Sequence, residues 1–278
     1  MKKTIMRGCL VVFALLLCLP LIRLDTAAAS PTDYPSVTLT RGSATLSVTG
    51  RQIEGQTFVP LKAFAALFTT VTYRYNSSTS YATLTAPGLT VQAGNGSSFL
   101  FANDRCLYGV KANRLLDGTM WVSLNPLAKA LGLTVSGSGS ARTRSVSGSY
   151  RALTSASSFY NQTDLYWLSR IISAESQGEP MQGQLAVGNV ILNRVRSSQF
   201  PNSVYGVVFQ KGQFSPVSNG TVYNSPAWIS QCVAKMCLEG YAVDNAVLFF
   251  CNLSTSSSGW IAKNRTRAFT IGAHTFFY

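Results

Sequence analysis

Two glutamates, Glu175 and Glu179, have the placement in this chain that best suits acid–base chemistry. Leu168, Ile171 and Ile172 have the spacing of the apolar face of a helix, and the same face continues to Glu175. A carboxylate there is partly desolvated and lies at the negative end of the helix dipole, and both effects raise its pKa. We therefore expect Glu175 to face inward and to act as a general acid.

Two other acidic residues of this half have structural explanations. From position 163 onward, the acidic residues besides Glu175 are Asp164, Glu179, Glu239 and Asp244. Asp164 fits the N-cap of the helix, and Gly178 fits its stop. Glu239 fits the end of a surface helix. Glu179 precedes Pro180, a preferred first helical residue, and fits the turn between two helices.

The elements around these glutamates follow from apolar spacing and breakers. The second helix runs to Val195, and Gly183 and Gly188 allow close backbone approach within it. A loop-rich segment follows at 200–220, then a helix at 226–238. Two strand-like runs, 246–252 and 268–278, end the chain.

Four separated blocks carry a family resemblance. They are AESQGEP, GQLAVGNVILNRV, FPNSVYGVVFQKGQFSPVSNG and GAHTFFY. Together they resemble the SleB-type cell wall hydrolases, the family of spore cortex-lytic enzymes, over Thr163–Tyr278. The resemblance implies a lysozyme-like catalytic domain that cuts the glycan strand of peptidoglycan between N-acetylmuramic acid and N-acetylglucosamine. It also implies a lytic transglycosylase mechanism with one catalytic glutamate, which corresponds to Glu175.

Candidate substrate-binding residues come from the same blocks and from aromatic side chains. Aromatic faces stack on sugar rings, which makes Trp260 a candidate. The family-like blocks add polar and aromatic groups, so the full set is Glu179, Gln213, Phe214, Ser215, Trp260 and His274. A mechanism with two carboxylates stays open, because the turn between Glu175 and Glu179 hides their separation.

Two other classes of protein compete with this interpretation. Zinc hydrolases need about three ligands such as histidine or cysteine, and His274 is the only histidine in the chain, so we expect no metal and no cofactor. A Cys-His wall peptidase or amidase would have to use Cys251 or Cys237 with His274, and neither cysteine follows a glycine-rich entry to a helix. A wall-binding protein with an inert hydrolase half is the non-enzymatic alternative.

The N-terminus and the charge predict export. Lys2, Lys3 and Arg7 precede an apolar run, and small residues follow at 27–30, as in a signal peptide at 1–29. Its removal takes away four basic residues and one acidic residue, so the net charge falls from +13 to +10. A basic exported protein suits peptidoglycan and anionic wall polymers as partners better than nucleic acid. We expect a secreted protein of the cell wall or spore envelope, without stable membrane insertion after signal cleavage.

Residues 35–135 alternate between short strands and turns and contain a repeat. The segment 57–65, TFVPLKAFA, recurs at 120–128 as MWVSLNPLA. This half resembles the stalk module named after the N-terminal domain of copper amine oxidases, and without a histidine it offers no copper site. The serine-rich stretch 136–162 predicts a flexible linker before the catalytic domain at 163–278. The expected fold class is therefore α+β, a small repeated β/α stalk before a lysozyme-like domain.

Four cysteines lie outside the predicted signal peptide. Cys232 and Cys237 are separated by about 7.5 Å of helical rise, too far to pair with each other. Buried free thiols are one interpretation of this pair, and a bridge from either to Cys251 is the other. Cys106 lies alone in the first half.

Overall fold

The computed structural model describes residues 29–137, 142–254 and 259–278. The predicted signal peptide lies outside these ranges except for its last residue. No helix in the described ranges combines the length and the apolar character that crossing a bilayer requires.

The described residues of the N-terminal part, 29–137 and 142–147, form thirteen strands and two short α-helices. The helices are α1 (Leu61–Ala66) and α2 (Leu124–Ala130). The strands are β1 (Ser36–Arg41), β2 (Ala44–Thr45), β3 (Gly50–Ile53), β4 (Gln56–Pro60), β5 (Thr72–Asn76), β6 (Tyr81–Ala86), β7 (Leu89–Gly94), β8 (Phe99–Ala102), β9 (Arg105–Tyr108), β10 (Arg114–Leu116), β11 (Thr119–Ser123), β12 (Thr134–Ser136) and β13 (Thr143–Ser147).

These strands form two sheets around a shared apolar core. The larger sheet has the order β10-β11-β4-β3-β1-β13-β12, with β2 paired to β1, and the smaller has the order β5-β6-β7-β8-β9. The two copies of the repeat each fold as a strand followed by a helix, β4–α1 and β11–α2. The strands of the two copies pair antiparallel, with Val59 opposite Val122.

The prediction of a flexible linker at 136–162 is wrong for much of that stretch. Strand β13 pairs parallel with β1 and antiparallel with β12, where Val146 lies opposite Val135. Val146 is fully buried, and the Arg144 side chain is buried as well. The reason is that serine and threonine are tolerated in strands, so a single alternating valine is enough to anchor β13 in the core.

The C-terminal part, residues 156–278, consists of helices with a three-stranded sheet at the end of the chain. Its helices are α3 (Ala156–Phe159), α4 (Gln162–Ser176), α5 (Met181–Arg196), α6 (Val204–Val208), α7 (Ser215–Ser218), α8 (Trp228–Leu238) and α9 (Gly259–Asn264). Its strands, β14 (Phe249–Cys251), β15 (Arg267–Ile271) and β16 (His274–Phe277), have the order β14-β16-β15. The run 268–278, predicted as one strand, is a hairpin that turns at Gly272, where φ is +58°.

Helices α4, α5 and α8 form the core of this part. The N-cap of α4 is Asn161, whose side chain accepts from two backbone amides, so the assignment of Asp164 as the cap is wrong. Pro180 is the N-cap of α5, one residue before the predicted position. Gly188 brings the helices together, since a Cβ there would lie 2.5 Å from the Cys237 sulfur.

One buried carboxylate joins the two parts. The Glu239 side chain is fully buried, and Arg105 donates to its two oxygens at 2.6 and 2.8 Å. Lys129 and the Tyr160 hydroxyl also donate to it, each at 2.7 Å. Burial acts to raise the pKa of Glu239, but these hydrogen bonds outweigh burial and lower it. The prediction that Glu239 ends a surface helix is wrong, because the N-terminal part covers it.

The edge strand β9 also faces the C-terminal part. The hydroxyl groups of Tyr160 and Tyr241 face the backbone N–H groups of Cys106 and Tyr108, respectively. Cys106 and Tyr108 belong to the same apolar cluster as residues of α4, α5 and α8. The two parts therefore share a continuous apolar contact.

Candidate active site

A groove of about 610 Å³ lies beside the C-terminal end of α4. Loop residues before α7, strand β14, helix α9 and the start of β16 form its other walls. The residues that line it are Glu175, Arg194, Gly212, Gln213, Phe214, Ser215, Phe249, Phe250, Cys251, Asn252, Trp260, Ile261 and His274. Six of the seven predicted site residues therefore lie together, and Glu179 is the exception.

Glu175 lies in the last turn of α4 and is half-buried. Burial raises the pKa of Glu175 to about 7, in the direction expected from its place on the apolar helix face. Within the described ranges its carboxyl group makes neither a hydrogen bond nor an ion pair. A carboxyl group with this pKa and no protein partner can hold a proton at neutral pH and donate it to a ligand in the groove.

Arg194 is a groove residue that the sequence did not single out. Its Nε donates to the Leu248 carbonyl at 2.7 Å, and its Nη1 donates to Gln213 Oε1 at 3.0 Å. Three aromatic rings surround the guanidinium, those of Phe200, Phe214 and Phe249, with their centroids 4.8 to 5.4 Å away. Burial lowers the pKa of Arg194 to about 10, which leaves it charged at neutral pH. Arg194 thus fixes the Gln213 side chain.

His274 is the first residue of β16, on a strand as predicted. Its ring packs edge-on against Phe250 with centroids 5.2 Å apart, and its Nδ1 is buried without a hydrogen-bond partner. Burial lowers the pKa of His274 and outweighs the nearby Glu179, which acts in the opposite direction. A neutral imidazole therefore lines the groove at neutral pH.

Glu179 lies against the β15–β16 hairpin. Its Oε2 accepts from the backbone N–H of Ala273 at 3.0 Å. A Cβ on Gly272 would collide with the same oxygen, so the glycine is required for this contact. Glu179 thus positions the turn that precedes His274, and the structure does not place it among the groove-lining residues.

Trp260 lies on α9 at the rim of the groove and is 61% exposed. Arg265 stands over the rings of Trp260 and Phe249, at 5.6 and 4.3 Å from their centroids. The sequence predicted Trp260 as a groove residue, but not the short helix that carries it. An exposed indole beside a cleft offers a flat apolar face to a sugar ring.

Cys251 and His274 line the same groove without the features of a nucleophile and its base. Burial raises the pKa of Cys251, which disfavours the reactive thiolate. No hydrogen bond joins Cys251 to His274 in the described ranges. In these ranges no three His, Cys, Asp or Glu side chains cluster as a metal site would require.

Comparison with protein families identifies both parts of the chain. Residues 178–277 match the family described as Cell Wall Hydrolase. The C-terminal part is a cell wall hydrolase domain. Residues 37–146 match the copper amine oxidase N-terminal domain, and this match includes β13. Both resemblances drawn from the sequence are confirmed.

The relatives of the hydrolase domain include spore cortex-lytic enzymes. The spore cortex-lytic enzymes of Bacillus cereus and Bacillus subtilis are 37% and 34% identical to the chain over 117 residues, which is 42% of this chain. The match spans 45% and 38% of those two relatives, so less than half of either is represented. A solved structure, the catalytic domain of the germination-specific lytic transglycosylase SleB from Bacillus anthracis, is 36% identical. It aligns with 43% of this chain and 97% of its own, with a TM-score of 0.41.

Proposed function

We propose that this chain cleaves the glycan strand of peptidoglycan between N-acetylmuramic acid and N-acetylglucosamine, with Glu175 as its one catalytic carboxyl group. The observation that supports this most is the place of Glu175 in the groove wall, half-buried and without a protein partner, where burial raises its pKa to about 7. A carboxyl group with a pKa in this range keeps a protonated population at neutral pH, as a general acid requires. Spore cortex-lytic enzymes among the relatives support the same substrate class.

The mechanism begins with proton transfer from Glu175 to the glycosidic oxygen. The C1–O bond breaks as the N-acetyl group of the same sugar stabilises the positive charge that develops at C1. The Glu175 carboxylate then takes the proton of the hydroxyl group that attacks C1. If this is the 6-hydroxyl of the same muramyl residue, the product is a 1,6-anhydro sugar and the enzyme is a lytic transglycosylase. Attack by water would give the lysozyme product.

The other groove residues bind the sugars around the bond that is cut. The exposed Trp260 ring stacks on a sugar face at the rim. Gln213, fixed by Arg194, and Ser215 supply hydrogen-bonding groups on one wall, and neutral His274 supplies them on the other. Glu179 acts on the groove through the hairpin that carries His274.

The N-terminal part and the predicted export complete the proposal. With its signal peptide removed, the chain has a net charge of +10, which favours retention on anionic wall polymers. We place the mature protein in the cell wall or spore envelope. The stalk-like part then contributes to retention there, and no cofactor takes part.

The test is digestion of purified peptidoglycan by the Glu175→Gln variant, with released fragments identified by mass spectrometry. Fragment release should fall at least ~100-fold, because glutamine cannot donate the proton. Glu179→Gln is the matched control and should lose far less, because its amide oxygen can still accept from Ala273.

The chemical ends of the released fragments distinguish lytic transglycosylation from hydrolysis, and the two variants distinguish a mechanism with one carboxyl group from one with two. The wild-type enzyme should release fragments that end in 1,6-anhydromuramic acid, one water lighter than hydrolysed ends. Near-normal release by Glu175→Gln would refute the assignment of the acid. An equal loss in both variants would favour a mechanism with two carboxylates.

A further inference from the structure

One face of the β8–β9 hairpin packs against the hydrolase domain. Phe99 and Phe101 lie on β8, opposite Tyr108 and Cys106 of β9, respectively. Residues directly opposite each other, or two apart on one strand, share a face of a sheet. These four side chains therefore form one surface, in which Cys106 is fully buried.

Helix α8 places a second cysteine on this surface. The Trp228 ring contacts those of Phe99 and Phe101, with centroids 6.0 and 5.9 Å apart. Cys232 lies one helical turn after Trp228 on the same face of α8, so it approaches Cys106, the cross-strand neighbour of Phe101. Cys106 and Cys232 belong to the same apolar cluster.

Polar contacts fix the register between α8 and the hairpin. Lys235, three residues after Cys232, donates to the carbonyl of Asp104 at 2.8 Å. Glu239, the residue that directly follows the last residue of α8, accepts from Arg105. Asp104 and Arg105, which directly precede Cys106, are thus bound to the segment that carries Cys232. These contacts hold the Cys106 and Cys232 thiols next to each other.

We propose that Cys106 and Cys232 are a site of thiol oxidation, at which a small-molecule disulfide such as oxidised glutathione produces a covalent bond between the two parts of the chain. This site lies in the interface between the parts, away from the groove, and it does not depend on the proposed function.

The chemistry assigns different roles to the two sulfurs. The hydrogen bond from Cys106 lowers the pKa of Cys232 against the effect of burial, and nearby Lys235 acts in the same direction. Burial, followed by that hydrogen bond, raises the pKa of Cys106. Cys232 is therefore the sulfur that attacks first, because the thiolate is the nucleophile.

The exchange takes two steps and occurs as the chain folds, because Cys106 and Cys232 are both buried in the folded chain. The Cys232 thiolate breaks the S–S bond of oxidised glutathione, forms a mixed disulfide and releases one glutathione thiolate. That thiolate takes the proton of Cys106, whose sulfur attacks Cys232 and releases the second glutathione. Two protein thiols lose two electrons and two protons, and one disulfide molecule becomes two thiols.

The other described cysteines lack this arrangement. Cys237 faces the α5 helix, where its sulfur lies 3.8 Å from the Leu185 carbonyl. Cys251 lies on β14 in the groove wall. All four are free thiols in this structure.

The test is peptide mapping of the full chain, refolded from the reduced state in a buffer of reduced and oxidised glutathione. After alkylation and tryptic digestion without reductant, residues 106–111 and 212–235 should appear as one linked species, lighter by two hydrogens than the separate peptides. Treatment with dithiothreitol should separate them. The oxidised chain should also unfold at a temperature higher by about 5 °C or more than the reduced chain.

Variants and adducts supply the controls. Cys106→Ser and Cys232→Ser should abolish the linked species, whereas Cys251→Ser should leave it unchanged. Recovery of both peptides in alkylated form, or as separate glutathione adducts, would overturn the proposal. So would a dominant link to Cys237 or Cys251. If a serine variant fails to fold, the peptide map of the wild-type chain still shows whether Cys106 and Cys232 are linked.

Discussion

At the scale of single residues, Glu175 combines burial with a lack of protein partners. Burial disfavours its charged form, and in the described ranges no cation or donor offsets that cost. The folded chain therefore binds a proton at Glu175 that the unfolded chain releases. This proton links both activity and stability to pH, and both should decline as the pH rises through about 7.

The pH dependence of Glu175 can be measured in two ways. Because the pKa of Glu175 in the folded chain is about 7, the acid form is lost above pH 7. There kcat/KM should decrease with pH, with a slope that approaches a tenfold decrease per pH unit. For stability, the folded pKa lies above the usual value of 4.5, so the stabilisation is complete below pH 4.5 and is lost as pH rises through 7. Thermal unfolding should thus show Glu175→Gln equal to wild type at pH 4 and more stable at pH 8, by up to about 3 kcal/mol.

Glu179→Gln is the control for both measurements. It keeps Glu175, so its residual activity should fall over the same pH range, and its stability should follow that of wild type. A flat kcat/KM between pH 6 and 9 would contradict the role of Glu175 as the acid.

Residue types and spacing were enough to find Glu175, but not Arg194 or Glu239. Helical periodicity reports the face on which a carboxylate lies, so the placement of Glu175 could be predicted. An arginine at the end of a helix gives no such signal, because its burial depends on Phe200, Phe249 and the Leu248 carbonyl. The partners of Glu239 lie 79, 110 and 134 positions away in sequence.

At the scale of elements, the groove depends on how closely α4, α5 and α8 approach. Gly188 lies at their contact, where an added Cβ would be 2.8 Å from Ile172 Cδ1 and 2.5 Å from the Cys237 sulfur. Both neighbours are buried, so neither can move into open space. Because α4 carries Glu175 and α5 carries Arg194, a change in this contact alters the groove itself.

Gly188→Ala should therefore destabilise the chain by about 1 to 3 kcal/mol, the usual cost of overpacking a core. Denaturant unfolding measures this cost. Gly178→Ala is the matched control, since a Cβ at Gly178 would meet nothing within 4 Å. Equal stability of Gly188→Ala and wild type would show that the helices are packed less tightly than described.

Elements with a strong local signal were predicted well, and the error at β13 has a physical cause. The long helices and the strand–helix repeat follow from periodicity and from self-similarity in the sequence. Strand β13 pairs with β1, which lies about a hundred positions earlier in the sequence. The serine-rich composition of β13 does not indicate which strand it pairs with. Composition predicts solvation, whereas pairing depends on which strand edge is available.

At the scale of the whole molecule, the two parts are not connected by a loose tether. Isolated residues 156–278 would lose the Arg105 and Lys129 donors of Glu239 and would expose Cys232 and Tyr241 to water. We expect this segment to unfold at a lower temperature than residues 29–278 and to self-associate. Circular dichroism and size-exclusion chromatography measure the two effects.

The comparison needs a control for the loss of chain length alone. The Arg105→Ala variant of residues 29–278 lacks the main donor to Glu239 but keeps the rest of the contact between the two parts. Its unfolding temperature should therefore lie between those of the isolated segment 156–278 and unsubstituted 29–278. An isolated segment that stays monomeric and unfolds with the longer chain would show that the contact contributes nothing to stability.

The tyrosine hydroxyl groups that face β9 also affect the tendency of the protein to self-associate. A sheet edge with free N–H groups is a template on which another chain can add a strand, and such edges promote aggregation. Tyr160 and Tyr241 face the outward N–H groups of Cys106 and Tyr108, so the hydrolase domain closes this edge of the five-stranded sheet. The hydrolase domain thus shields this strand edge of the N-terminal part from pairing with another chain.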